Sequence, residues 1–253
     1  LNPSIGAVEK YLIKEINTKK TIHITLIDPE KSTPQEASSI VNNAKLAGTS
    51  AIMVGGSTFV SQKRLDAVIK AIKRTIKIPT ILFPNNVTGI SRYADAIWYM
   101  SLLNSTDPYF LVGAQVLGAP LIKKFKLEPI SLGYIILGEG CTASIIGKAI
   151  PIPFNKPELA VAHALAAQYL GMRFVYLEAG SGAKKPVQRE VISAVKKNVN
   201  IPIIVGGGIT LKEQAVNAAA AGASIIVTGN VIETTDAKTK ISEIIDNISS
   251  LKK

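Results

Sequence analysis

Eight short runs of β-branched and aliphatic residues recur along the chain, separated by stretches with helical spacing. This alternation constrains the fold more than any other feature. The runs lie at 21–27 (TIHITLI), 51–54 (AIMV), 79–83 (PTILF), 95–100 (DAIWYM), 131–137 (SLGYIIL), 173–177 (RFVYL), 201–205 (IPIIV) and 224–228 (SIIVT). Several are almost continuously apolar, which suits strands buried on both faces of a parallel sheet. Helical spacing occupies 34–47, 61–75, 107–125, 157–171, 186–198, 211–221 and 236–251. Thr33-Pro34, Asp107-Pro108 and Lys156-Pro157-Glu158 mark helix starts, and Gly48, Gly171 and Gly222 stand where left-handed C-caps are expected. No linker-like shift in composition interrupts the pattern. The reading is therefore one domain over residues 1–253, a (β/α)8 TIM barrel, with a doubly wound sheet as the structural alternative.

One connection departs from the pattern. Only residues 84–94 (PNNVTGISRYA) separate the third run from the fourth, close to the ~10–12 residues a helical crossover needs. Asn85-Asn86 and Gly89 break the segment further, so the third helix is predicted to be missing or vestigial. That leaves one side of the barrel uncovered, as an oligomer interface or a groove for an apolar ligand.

Composition removes several function classes. Apolar residues make up 47%, too many for a disordered chain even at a net charge of +11. The single cysteine, Cys141, excludes a disulfide framework or a cysteine-based metal centre, and His23 and His163 are too distant in sequence for a His-rich one. The first twenty residues lack a secretory h-region and no stretch is apolar enough to span a membrane, so a cytoplasmic protein is expected. The basic residues are spread in pairs over helical segments, and aromatics reach only 6%, so no nucleic-acid partner is expected.

In such barrels, chemistry sits at the C-terminal ends of the strands. Glycines cluster after the last three: Glu178-Ala179-Gly180-Ser181-Gly182, then Gly206-Gly207-Gly208-Ile209-Thr210, then Gly229-Asn230. Glycine lets backbone amides approach a phosphate closely, with Ser181 and Asn230 as added donors, and the arrangement predicts a phosphomonoester site. The bland alternative is that these glycines serve only tight turns. After strand 1 stands Asp28 and after strand 2 Ser57. One carboxylate and one hydroxyl suit Mg²⁺, which completes its shell with water and phosphate oxygens; a helix cap is the alternative for Asp28. Glu178 is an acidic group beside an anion site, which argues for a chemical role such as general base rather than binding; a structural pairing with a lysine is the alternative. No lysine ends a strand as a Schiff-base enzyme requires, and no Ser/His/Asp set is apparent. His23 reads as a satisfied core or barrel-interior residue, and Cys141 as packing. Trp98 and Tyr99 border the short connection and are candidates for lining a groove there.

These residues lie in longer motifs: His23-Ile-Thr-Leu-Ile-Asp-Pro-Glu-Lys31, Met53-Val-Gly-Gly-Ser57, Leu82-Phe-Pro84, Ala94-Asp-Ala-Ile97, Ser101-Leu-Leu-Asn-Ser105, Tyr176-Leu-Glu-Ala-Gly-Ser-Gly182, Gly206-Gly-Gly-Ile209 and Gly229-Asn230. Over nearly its whole length the chain resembles the geranylgeranylglyceryl phosphate synthases of archaea and their bacterial heptaprenyl relatives. The resemblance implies a prenyltransferase that joins the 3-hydroxyl of sn-glycerol 1-phosphate to C1 of geranylgeranyl diphosphate, releasing diphosphate. It implies Mg²⁺ on Asp28 with Ser57. It implies glycerol 1-phosphate bound by Tyr176, Leu177, Glu178, Ala179, Gly180, Ser181, Gly182, Gly207, Gly208, Gly229 and Asn230, with Glu178 and Tyr176 catalytic. It also implies a modified barrel without the third helix, with the prenyl chain along an apolar groove that Trp98 and Tyr99 are the candidates to shape. A homo-oligomer and peripheral contact with the membrane complete the expectation.

Other readings are a heptaprenyl enzyme using a longer diphosphate, a phosphosugar isomerase or lyase on the same barrel, and a non-catalytic binder of anionic surfaces. The isomerase would call for paired Asp, Glu or Lys at strand ends. The binder has no use for glycine-rich ones.

Overall fold

The computed structural model describes residues 5–58, 61–229 and 237–250. Eight parallel strands close into a barrel in sequence order: β1 (Ile22–Ile27), β2 (Ala51–Val54), β3 (Thr80–Leu82), β4 (Ala96–Leu102), β5 (Glu128–Ile136), β6 (Phe174–Glu178), β7 (Ile203–Gly206) and β8 (Ile225–Thr228). Closure follows from β8 pairing back onto β1, with His23 opposite Ile226.

The alternation of side chains along each strand divides the apolar residues into two cores. Ile24, Met53, Ile81, Trp98, Leu132, Phe174, Ile204 and Ile225 fill the interior. Ile27, Ile52, Leu82, Ile97, Ile135, Val175, Val205 and Ile226 face outward, against the helices. This double burial explains why the strands read as unbroken apolar runs. The helices α2 (Pro34–Leu46), α3 (Gln62–Thr75), α4 (Ala114–Phe125), α6 (Pro157–Tyr169), α7 (Arg189–Asn198), α8 (Lys212–Ala220) and α9 (Ala237–Ser250) occupy the segments expected from their spacing. Thr33 caps α2 in a full capping box with Glu36, and Gly48, Gly171 and Gly222 all have positive φ.

Between β3 and β4 the chain forms a single 3-10 turn, Val87–Gly89, and no α-helix. The modified (β/α)8 barrel expected from the short connection is the fold observed.

Three features differ from the sequence reading. An N-terminal helix, α1 (Ala7–Lys19), was not expected. Its entry is fixed from a distance: Glu128, at the start of β5, accepts the Val8 and Glu9 amides at 2.8 Å each, and Arg173 Nε holds Glu9 at 2.6 Å. Val8 and Leu12 then join the interior core, closing that end of the barrel. The stretch 107–125 is not one uniform helix but a π-helical turn, Tyr109–Gly113, leading into α4. A short helix, α5 (Thr142–Ile146), follows β5.

His23 is a core residue, but it points outward, in phase with Thr25 and Ile27. Its ring nitrogens sit 2.9 Å from Thr49 Oγ1 and 2.9 Å from Thr228 Oγ1. Burial pushes its pKa down to about 3, so the ring is neutral.

Candidate active site

Strand β6 carries Tyr176 and Glu178 two residues apart, so both face the interior at the barrel's C-terminal end. Tyr134 on β5 is the register partner of Tyr176, and the two phenol hydroxyls face the Glu178 carboxylate as donors. Phe83, just past β3, packs against both rings with centroids 5.5 Å away, edge-on to Tyr134 and stacked on Tyr176. Gly180 N–H donates to Glu178 Oε1 at 2.6 Å. Burial raises the Glu178 pKa, and the hydrogen bonds from Gly180, Tyr176 and Tyr134 oppose that rise. Both tyrosines are pushed well above the usual phenol range, first by burial and then by the Glu178 charge. The cluster is therefore two protonated phenols donating to one buried carboxylate.

The glycine loops close around this carboxylate. Gly207 has φ +82°, and a Cβ there would collide with Glu178 Oε1 and the Gly180 amide, so only glycine fits. Gly180, Gly182 and Gly208 also hold positive φ, and with Ser181 and Gly229 they form one wall of a cavity of about 300 Å³. The helix after β7 contributes less than its position suggests: the Thr210 and Leu211 amides already donate to Gln214 Oε1 at 2.8 and 3.0 Å. The glycine positions remain as the candidate anion-binding elements of this end. Asn230 lies outside the described residues.

Asp28 and Ser57 line the same cavity from β1 and β2. Asp28 Oδ1 accepts the Glu30 amide at 2.9 Å. A Cβ on Gly56 would fall 2.9 Å from Asp28 Oδ1, so glycine keeps the space beside the carboxylate open. Among the described residues no group of three His, Cys, Asp or Glu side chains forms a metal cage. One carboxylate and one hydroxyl on the wall of the same cavity suit a hydrated Mg²⁺ rather than a dedicated protein cage.

The cavity continues through the gap left by the missing helix. There it is lined by Ile97 and Tyr99 on the outer face of β4, by Ile90, and by Ala114, Gln115, Gly118 and Ile122 of α4. Trp98 lines it from the opposite side of β4: it is fully buried inside the barrel, edge-on to Phe174 at 5.2 Å. Trp98 and Tyr99 thus share the cavity without sharing a face, as adjacent strand residues must. The Tyr99 hydroxyl donates to Gln115 O at 2.7 Å, tying β4 to α4. Cys141 packs over Gly180, with its thiol pKa raised by burial.

Sequence reasoning missed Tyr134, Phe83 and the α4 residues of the groove. Tyr134 had a readable signal, since it lies two residues before Ile136 on a strand already assigned. Gly118 and Ile122 had none, because their role depends on a helix that is absent elsewhere.

A family model described as the PcrB family matches residues 14–248. The geranylgeranylglyceryl phosphate synthase of Thermofilum pendens is 52% identical over 90% of this chain and 89% of its own length. That of Pyrococcus abyssi is 51% identical over 95% of this chain and 97% of its own. The crystal structure of (S)-3-O-geranylgeranylglyceryl phosphate synthase from Thermoplasma acidophilum, in complex with sn-glycerol-1-phosphate, superposes with a TM-score of 0.93. It is 40% identical and covers 98% of this chain and 100% of the other. With its barrel, its glycine-walled carboxylate and these relatives taken together, the chain belongs to the PcrB family.

Proposed function

We propose that this protein is a geranylgeranylglyceryl phosphate synthase, transferring the geranylgeranyl group of geranylgeranyl diphosphate to the 3-hydroxyl of sn-glycerol 1-phosphate. The observation that carries the reading is one continuous cavity with three chemically distinct parts. These are a glycine wall around a buried carboxylate, the Asp28–Ser57 pair, and an apolar groove through the gap after β3.

The parts suit the reaction. Ser181, Gly182, Gly207, Gly208 and Gly229 would hold the phosphate of glycerol 1-phosphate, with Asn230 as a further donor. Its 3-hydroxyl would then meet Glu178, whose raised pKa suits it to accept the proton as oxygen attacks C1. The C1–oxygen bond to diphosphate breaks with its electron pair leaving on diphosphate, so an ether forms and charge is conserved. Tyr176 and Tyr134 keep the carboxylate oriented throughout. Asp28, assisted by Ser57, would hold Mg²⁺, which when bound neutralises the departing diphosphate. The prenyl chain would lie between β4 and α4. Burying one isoprene unit contributes roughly 3–4 kcal/mol gross at ~0.8 kcal/mol per methylene, enough for groove length to select the substrate.

We place the enzyme in the cytoplasm, as a homo-oligomer with peripheral membrane contact. Exposed Val112, Val116, Leu117, Ile145 and Ile150 offer apolar surface that such contacts would cover. Among the described residues no helix is long and apolar enough to cross a membrane.

The deciding experiment mixes the protein with Mg²⁺, sn-glycerol 1-phosphate and a ladder of prenyl diphosphates, and identifies products by mass. The reading expects the twenty-carbon ether to dominate. A thirty-five-carbon product in its place would make this a heptaprenyl enzyme, and isomerised or cleaved phosphate without ether would move it to another class.

A further inference from the structure

Asp28 stands on a loop, yet an effective cation ligand must hold a fixed position relative to Ser57 on the next loop. Outside the cavity the Asp28 loop is tied to the start of α3, the helix that follows the Ser57 loop. Arg64, in the first turn of α3, donates from Nε to Pro29 O at 2.6 Å and from Nη2 to Glu30 O at 2.8 Å. Glu30 returns the contact, accepting the Ser61 amide on Oε1 at 3.1 Å, while Ser61 Oγ caps α3 by accepting the Arg64 amide at 3.2 Å. The Glu30 amide is the group that donates to Asp28 Oδ1. Glu30 is thus held at three points: its amide by Asp28, its carbonyl by Arg64, and its carboxylate by Ser61.

Arg64 does not line the cavity. Its influence on Asp28 passes through the Pro29–Glu30 backbone. Contacts involving a guanidinium or a carboxylate are stronger than neutral ones, and the planar guanidinium fork presents separate donors to the two successive carbonyls in a fixed geometry. We propose that Arg64, with Glu30, is a positioning clamp that sets Asp28 against Ser57 and thereby the affinity for a divalent cation. This rests on the reading of Asp28 as the cation ligand.

The sign of the effect separates this role from simple electrostatics. Removing a positive charge near a cation site should tighten cation binding, whereas releasing the clamp should weaken it. The test titrates Mn²⁺ into the full-length protein and follows free Mn²⁺ by electron paramagnetic resonance. Wild type, Arg64→Ala, Arg64→Lys and Asp28→Asn are compared, with folding checked by circular dichroism and sn-glycerol 1-phosphate affinity by calorimetry. The expected result is Mn²⁺ affinity about tenfold weaker in Arg64→Ala and about threefold or more in Arg64→Lys, which keeps the charge but loses the fork. Glycerol 1-phosphate affinity should not change. Wild-type or tighter Mn²⁺ binding in folded Arg64→Lys or Arg64→Ala overturns the clamp. Should Arg64→Ala fail to fold, Arg64→Lys alone decides. Asp28→Asn should abolish binding; if it does not, the cation reading itself falls, whatever the Arg64 variants do.

Discussion

Tyr134 and Tyr176 stand level on neighbouring strands and turn their hydroxyls toward one carboxylate, that of Glu178. Each phenol lowers the Glu178 pKa, against the burial that raises it. If Glu178 works as a base, activity is lost as pH falls through its pKa. Tyr134→Phe removes a donor to the ionised form, so that pKa rises further. The acidic limb of kcat/KM should move to higher pH, while the limb of a distant surface variant stays in place. A limb that does not move would show that Glu178 is not the titrating base.

On the proposed function, Asp28 and Glu178 address opposite halves of the reaction, the leaving group and the nucleophile. An allylic C1 can develop positive charge, so stabilising the leaving group should matter more than nucleophile strength. Under saturating substrates, Asp28→Ala should lose more turnover than Glu178→Gln, whose own loss should be roughly 10²-fold or more. The reverse order in kcat would place the chemical burden on deprotonation.

Groove length is testable from both faces of β4. A Cβ on Gly118 would already stand 3.1 Å from Ile90 Cδ1, so Gly118→Leu should fill the groove between α4 and the short connection. Preference should then shift toward shorter prenyl diphosphates, with glycerol 1-phosphate KM little changed. Trp98→Ala should relax the preference instead. Because Trp98 is fully buried, that variant should also lose about 3–5 kcal/mol of stability. Relative rates across the ladder of diphosphates are the measure, and equal relative rates in both variants would remove these residues from substrate selection.

His23 supplies a stability signature independent of catalysis. Its folded pKa is about 3, below the unfolded value of 6.5. Between these values the unfolded chain binds the extra proton, so stability falls as pH drops from about 6.5 toward 3. The slope approaches about 1.4 kcal/mol per pH unit for one group. Urea unfolding across this window should show a steeper loss of stability in the wild type than in His23→Gln, the difference between the two approaching that slope.

Much of this architecture was legible in the chain itself. Strand periods, the Thr33 cap and the glycines at 48, 171 and 222 are local signals, because a strand's pleat and a helix terminus depend on residues a few positions apart. The short segment after Phe83 was equally legible, since a crossover helix needs a minimum length of chain. What stayed hidden was set by distant partners. Helix α1 is capped by Glu128, 120 residues from Val8, and no local pattern carries that bond. The split of 107–125 into a π turn and α4 likewise lacks a period of its own.

The site divides along the same line. Sequence by itself determined which residue types stand at the strand ends: Asp28, Ser57, Glu178 and the glycines, in an order that only a closed barrel brings together. Tertiary structure alone decided that Tyr134 and Tyr176 converge on Glu178, that Trp98 and Tyr99 reach one cavity from opposite faces, and that Arg64 ties the Asp28 loop to α3. The physical reason is barrel closure. Strand alternation states which way each side chain points, but only the pairing of neighbouring strands and the packing of α4 on β4 state what it meets.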